Sequence, residues 1–268
     1  MAQTDLHRLS PLILHLLLLA SSLVSRSWAH QRSSTYGSSA LTEWRPAHAS
    51  YYAADPEDAI GGACGFGNLG KEGYGMATAG LSEALFEKGA ACGGCYEVRC
   101  VSEMKFCLPG TSIVVTATNF CAPNYGLPAE AGGVCNPPNH HLLLPIQAFE
   151  KIAIWKAGVM PIQYRRVKCV RDGGIRFTVD GRKFFYTVLI SNVAGAGDVI
   201  SVKIKGSTTG WLQMGRSWGQ IWHINADFEG QPLSFELTSS DSVTLTSYNV
   251  APKDWSFGKT YVGKQFPF

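Results

Sequence analysis

Charge is scarce in this chain: only 16% of the residues are Asp, Glu, Lys or Arg, against 46% hydrophobic and 11% aromatic. The 23 basic and 20 acidic residues leave a formal net charge of +3, too small to argue for nucleic acid or an anionic membrane as partner. The sequence has no Asn-x-Ser/Thr sequon, no internal repeat, no low-complexity tract and no nucleotide-binding motif. It has no cysteine after Cys169. Beyond the first 30 residues nothing approaches the roughly 18 uninterrupted apolar residues that cross a bilayer, so no transmembrane segment is expected there. A surface poor in charge but supplied with Gly, Trp, Tyr and Phe suits recognition of something uncharged.

The one long apolar run lies at the N-terminus. Arg8 closes a short polar start, Leu12 to Val24 is apolar apart from His15 and a Ser pair, and Ser27-Trp28-Ala29 sets small residues at the positions a signal peptidase reads. A membrane anchor needs a longer run, so residues 1–29 read as a secretory signal. The mature chain is expected to start near His30 and to be exported.

The eight cysteines are Cys64, Cys92, Cys95, Cys100, Cys107, Cys121, Cys135 and Cys169. An even number behind an export signal reads as a disulfide framework. The rival is zinc, because Cys92-Gly-Gly-Cys95 has finger-like spacing, but a zinc site needs a second ligand pair at comparable spacing. Spacing does not choose among the roughly 105 possible pairings. The confinement of cysteine to positions 64–169 marks a domain boundary, placed at Val170 to Gly173. Residues 30–45 read as a loose extension, 46–169 as one domain and 174–268 as another, the last two each long enough for its own core.

Local patterns fill in these halves. Residues 112–117 (SIVVTA) predict a buried strand, 145–157 a helix opened by Pro145 and stopped by Gly158, and 164–169 a returning strand. In the second half Ile175, Phe177 and Val179 alternate, and Asp180-Gly181 predicts a hairpin turn into residues 183–193. Ile200, Val202 and Ile204 alternate, as do Leu233, Phe235 and Leu237. Short alternating strands argue for a β-sandwich.

Four segments stand out: His48-Ala-Ser-Tyr-Tyr52, Gly61-Gly-Ala-Cys-Gly-Phe-Gly67, Thr116-Ala-Thr-Asn-Phe-Cys121 and Gly132-Gly-Val-Cys-Asn-Pro-Pro138. Glycine runs beside an aromatic pair suit the floor of an open groove, or else serve tight turns between disulfides. Together with GACGFGNL (62–69), RCVSEMKFCLPG (99–110), YRRVKC (164–169), GGIRF (173–177), NVAGAGDV (192–199), GSTTGW (206–211), WGQIW (218–222) and WSFGKTY (255–261), these segments resemble the plant expansins, and the α-expansins most closely, from about Trp44 to Phe268. The resemblance implies an all-β, disulfide-rich protein: a six-stranded double-ψ β-barrel like that of the family-45 endoglucanases, packed on an immunoglobulin-like β-sandwich that binds carbohydrate. It implies the pairings Cys64–Cys92, Cys95–Cys169 and Cys100–Cys107, leaving Cys121–Cys135. It implies non-hydrolytic loosening of cell walls, with cellulose and matrix glucans such as xyloglucan as partners, no cofactor and no metal, and a monomer acting in the plant cell wall.

Hydrolysis is the competing chemistry. It needs two carboxyl groups flanking the scissile bond, and the cysteine-bearing half is short of them. Its only Asp residues are Asp55 and Asp58, and between Glu103 and Pro161 only Glu130 and Glu150 occur. Expansins typically carry His-Phe-Asp after the Asn-Pro-Pro turn; here the stretch reads His141-Leu142-Leu143, with a hydrocarbon side chain at the position of the acid. A residual endoglucanase would have to use Asp55, Glu57 or Asp58 with Glu130. A second alternative is a wall-binding protein that lost loosening activity along with that acid. Ala53-Ala54 also departs from the family's Gly-Gly, and Ser50 from its Thr.

The groove residues expected from the resemblance are His48, Ser50, Tyr51, Tyr52 and Asn119. His140 and His141 read as two turn histidines, at least one exposed. In the sandwich the aromatic pool is Phe184, Phe185, Tyr186, Trp211, Trp218 and Trp222. Alternation puts Phe184 and Tyr186 on one face and Phe185 on the other. Phe184 or Phe185 with Trp218 are expected to be exposed for cellulose, Trp222 to be inside, and Trp255 to pack the C-terminal end.

Overall fold

A computed structural model describes residues 43–54, 62–102 and 105–267. The expected signal peptide, most of the expected extension, and Asp55, Glu57 and Asp58 lie outside the described residues.

Six strands close the first barrel: β1 Arg45–Tyr52, β2 Thr78–Leu81, β3 Cys95–Cys100, β4 Ile113–Phe120, β5 His141–Pro145 and β6 Met160–Val167, in the order β1-β5-β2-β4-β3-β6. β1 runs parallel to β5, and β2 parallel to β4. Alternation decides what each strand buries. On β1, Ala47 and Ala49 turn inward while Pro46 and His48 face out. Small inward residues on β1 leave room for Val98, Val115, Leu142, Leu144, Phe149 and Ile162, all fully buried in the barrel core.

The helix expected over residues 145–157 is much shorter. Ile146–Phe149 is one helical turn and Trp155–Ala157 a separate 3-10 turn. Between them Ala153 bridges to Cys107, and the Ile154 N–H donates to the Phe106 carbonyl. The neighbouring disulfide loop thus takes the backbone groups that a continuous helix would have used.

The second half holds β7 Arg176–Arg182, β8 Phe185–Ser191, β9 Val199–Lys205, β10 Leu212–Gln213, β11 Gly215–Trp218, β12 Ile221–Asn225, β13 Leu233–Ser239, β14 Thr244–Ala251 and β15 Lys259–Val262. They form two sheets, β11-β12-β8-β7-β15 and β10-β9-β13-β14. Between the sheets lie Phe177, Val179, Val188, Ile190, Val202, Ile204, Phe235 and Leu237. Phe177 and Phe235 stack across the layer at 4.5 Å.

One turn reading and one alternation reading fail here for identifiable reasons. Asp180 and Gly181 do not turn the hairpin: they pair with Thr187 and Tyr186, and Lys183-Phe184 is the turn. Ile200 faces out, 49% exposed, because the β9/β13 register slips between the Ser201 and Val199 pairs. That bulge brings Val199 inward instead.

All eight cysteines are oxidised, as Cys64–Cys92, Cys95–Cys169, Cys100–Cys107 and Cys121–Cys135. Cys92 and Cys95 therefore belong to different bridges, which removes the zinc alternative.

Barrel and sandwich meet over a close seam. The Gln220 amide donates to the Cys92 carbonyl at 2.9 Å, the Asn192 N–H to the Tyr74 hydroxyl at 3.0 Å, and Ser191 to Glu72 at 2.7 Å. Arg166 and Asp198 form an ion pair at 2.6 Å, largely shielded from solvent. A Cβ on Gly93 would stand 2.4 Å from the Gly197 carbonyl oxygen. Glycines in the Cys92-Gly-Gly-Cys95 and NVAGAGDV segments are therefore there to let two backbones touch. The GACGFG run likewise packs on neighbouring chain: a Cβ on Gly62 would meet the Thr118 carbonyl at 2.5 Å and one on Gly65 would meet Ile221 at 2.7 Å. Gly62 thus packs within the barrel and Gly65 against the sandwich.

Candidate functional site

The barrel's outer surface over β1, β5 and β2 carries the expected groove residues, but not all of them. Ser50, Tyr52 and His48 share the outward face of β1. Tyr51 alternates away from them and packs its ring 5.1 Å from Phe149 against the barrel core. The aromatic pair is thus divided, one ring packed on the core and one turned to solvent. Tyr52 is 37% exposed, and burial of the rest pushes its phenol pKa up, with a hydrogen bond to Thr78 pulling the other way. The phenol therefore stays a neutral donor and acceptor.

β1 and β5 run parallel with His48 opposite His141 and Ser50 opposite Leu143. This register sets His141 and Leu143 on the same outward face as Ser50. Neither histidine is the exposed turn residue expected: His141 opens β5 and is 1% exposed, while His140 is half-buried with its Nδ1 3.1 Å from the Tyr164 hydroxyl. The Ser82 hydroxyl accepts from the His141 N–H at 3.1 Å and donates to the Asn139 carbonyl at 2.8 Å, while the Ser82 N–H donates to the His141 carbonyl at 3.0 Å. That clamp fixes where β5 begins. Burial, with a smaller contribution from His48, drives the His141 pKa down to about 4. Its neutral ring shares a 2.7 Å hydrogen bond between Nε2 and the Ser50 hydroxyl.

Leu143 is half-buried between two strands, opposite Ser50 on β1 and Gly80 on β2. A Cβ on Gly80 would be 3.7 Å from those of both Leu143 and Asn119, so Gly80 opens space between them. Asn119 spends its carbonyl oxygen locally: Oδ1 accepts the N–H groups of Ala63 at 2.9 Å and Phe120 at 2.8 Å. It anchors the 62–65 segment as much as it lines a groove. At the other end, His48 is exposed and borders a hollow of about 580 Å³ with Ser102, Asn139, His140 and Gln163. Glu130, the described carboxylate of the endoglucanase alternative, is exposed on the turn Ala129–Ala131.

Chemically, the surface offers a phenol, a serine hydroxyl backed by a buried imidazole, and an apolar patch at Leu143. The Ser50–His141 contact has the separation of a nucleophile and its base. A base with a pKa of about 4 holds a proton too weakly to activate an alcohol at neutral pH.

On the sandwich, Phe184, Phe185 and Trp218 are 54%, 37% and 46% exposed, while Tyr186 and Trp222 are buried. Phe184 does not share a face with Tyr186, because it sits at the hairpin turn with φ 65°. Phe185 and Trp218 lie on the outer side of the same sheet. Trp218 is opposite Ile221, itself opposite Leu189, which is four residues and about 13 Å along β8 from Phe185. His223, absent from the sequence expectations, stacks on Phe185 at 6.1 Å and 26°. It belongs to this row because β12 alternates with Trp222 inward. The Trp218 ring abuts Phe86 of the barrel at 5.7 Å, and Phe86 contacts Phe120, which follows Asn119, at 4.8 Å. These contacts seat the Trp218 side of the sandwich on the buried Phe86 of the barrel core. Trp255 is half-buried against Tyr186 and Phe257.

Comparison with known proteins gives this arrangement its class. Residues 175–252 match the family described as Expansin C-terminal domain, and residues 78–164 the family described as Lytic transglycolase. A barrel and sandwich in this arrangement also occur in apo Clavibacter michiganensis expansin, with a TM-score of 0.65 at 17% identity over 84% of this chain and all of that one. A mutant of that bacterial protein, solved in complex with cellohexaose, matches with a TM-score of 0.64. At the level of sequence, Expansin-A10 of Oryza sativa subsp. japonica is 77% identical across 96% of this chain and 99% of its own length. Expansin-A13 of Arabidopsis thaliana is 66% identical across 87% of this chain and 88% of its own length. The chain belongs to the expansin family, on the α-expansin branch.

Proposed function

We propose that the protein loosens plant cell walls without cutting a covalent bond, acting outside the cell on contacts between cellulose and matrix glucans such as xyloglucan. The observation that carries the non-hydrolytic part is Leu143. A hydrocarbon occupies the floor between Ser50 and Gly80, where a glycosidase-like barrel would need a proton donor. Leucine neither donates a proton nor stabilises charge, and hydrolysis by paired carboxyl groups needs both roles filled.

In this reading Phe185 and Trp218, with Phe184 at the margin, dock on cellulose. Pyranose rings present arrays of C–H groups that aromatic faces cover well. Ser50, Tyr52, His48 and Asn119 grip a neighbouring glucan in the barrel groove. Glucan chains adhere through many hydrogen bonds, each net worth about 1 kcal/mol. A surface offering substitute partners lets them slip with no chemical energy input. The mature protein acts as a monomer and needs no cofactor.

The test applies purified mature protein to heat-inactivated wall strips under constant load, with reducing ends assayed in parallel. Creep without reducing-end release is expected. Sustained release of reducing ends, abolished by changing Glu130 or Asp58, overturns the reading.

A further inference from the structure

The sandwich has a second outward surface, on the sheet β10-β9-β13-β14, and it carries an aromatic pair that the loosening reading does not use. Trp211 precedes β10 at one edge and Tyr248 lies on β14 at the other, yet their ring centroids are 6.1 Å apart. The two rings meet above the strands between them, where Lys205 and Ser234 are register partners. Tyr248 is 64% exposed.

The backbone is shaped to put Tyr248 there. β13 and β14 lose register between the Leu233–Ala251 and Phe235–Ser247 pairs, leaving residues 248–250 bulged opposite Ser234. Asn249 takes φ 49°, and its N–H donates to the Ser234 hydroxyl at 2.9 Å. Bulges of this kind re-aim a side chain, and here the result is a ring lifted into solvent beside Trp211.

The surroundings say what such a surface would take. Lys203 and Glu236 neutralise each other at 2.7 Å, and Thr246 donates to the same carboxylate at 3.3 Å. Lys205 leans over the Trp211 ring at 5.9 Å. Lys203 and Glu236 cancel, Lys205 adds one positive charge at the Trp211 ring, and the other neighbours are hydroxyls and the Gln213 amide, a set that suits a polyhydroxylated partner without strong charge. The rings are inclined by 54°. Two rings so inclined do not lie flat on a crystalline surface, but they accommodate successive sugars of one twisted chain.

We propose that Trp211 and Tyr248 form a binding platform for a single, non-crystalline β-glucan chain, on the side of the sandwich facing away from Phe185 and Trp218. The sandwich then holds two polymers at once, one on each sheet.

Hydroxyl-radical footprinting of the mature protein with cellohexaose tests this residue by residue. Saturating cellohexaose should slow oxidation of Trp211 and Tyr248 several-fold. In Tyr248→Ala, whose exposed ring contributes little to folding, protection of Trp211 should require about tenfold more cellohexaose, with retention on crystalline cellulose unchanged. Unaltered oxidation of Trp211 and Tyr248 at any soluble concentration of cellohexaose overturns the proposal, whatever happens at Trp218. So does Trp211 protection that is indifferent to Tyr248→Ala. Loss of protection at Trp218 alone counts against the cellulose strip and leaves this platform standing.

Discussion

The Nε2 atom of His141 lies 2.7 Å from the Ser50 hydroxyl, across the parallel pair β1 and β5. Leu143, two residues further along, is opposite that same serine. One side chain therefore stands between a buried imidazole and an apolar patch, and the polarity of the groove floor turns on residue 143.

Leu143→Asp is expected to increase the creep rate of wall strips several-fold without releasing reducing ends, since it adds a hydrogen-bonding and charged group beside Ser50. The constant-load extensometer decides. An unchanged rate would show that an acid at this position is dispensable to loosening in this protein.

His141 makes stability depend on pH in a definite direction. Its folded pKa is about 4, against about 6.5 in an unfolded chain, so the unfolded state takes up the proton first. The neutral-histidine contribution is complete above pH 6.5 and drains away as the pH falls toward 4. It totals about 3 kcal/mol. Burial and Arg45 lower the pKa of His140 in the same sense. Denaturant midpoints between pH 7 and 4.5 should fall less steeply in His141→Gln than in the parent.

Asp198→Ala should destabilise the protein by about 3–5 kcal/mol. It leaves the Arg166 guanidinium buried without its counter-charge, keeping only the Tyr96 hydroxyl and the Ala196 carbonyl. Because Arg166 is on the barrel and Asp198 on the sandwich, guanidinium unfolding should also separate into two transitions. A single transition with an unshifted midpoint would contradict this account of the seam.

Trp218→Ala and Phe185→Ala together should weaken retention on crystalline cellulose roughly tenfold. Phe184→Ala should do less, because its left-handed turn position takes it out of the row. Depletion assays with washed cellulose compare the three directly, and an equal loss from Phe184→Ala would redraw the strip.

Much of this architecture is readable from residue order. Alternation identifies the core of the sandwich wherever strands keep register, as at Phe177, Val179, Phe235 and Leu237. It fails at Ile200 and Phe184, where a bulge and a turn change the parity of the side chains, because neither feature has a local composition of its own. The division between Tyr51 and Tyr52 is implicit in the same alternation, once β1 is known to run through both. What no local pattern carries is the seam. The glycines at 93 and 197 look like loop residues until the partner backbone is seen against them, and Gly65 until the Ile221 side chain is. His223 joins the aromatic row only because Phe185 is its neighbour across a strand pair that is 38 residues apart in the chain.

The bridge between Cys95 and Cys169 has a mechanical meaning. The chain leaves the barrel just after Cys169, so a pull on the sandwich would begin by peeling β6 off the neighbouring β3. Cys95 begins β3, and the bridge rivets the two strands together where such a tear would start. Once the seam has parted, tension entering through the linker meets a covalent cross-link before the ladder between β3 and β6 feels it.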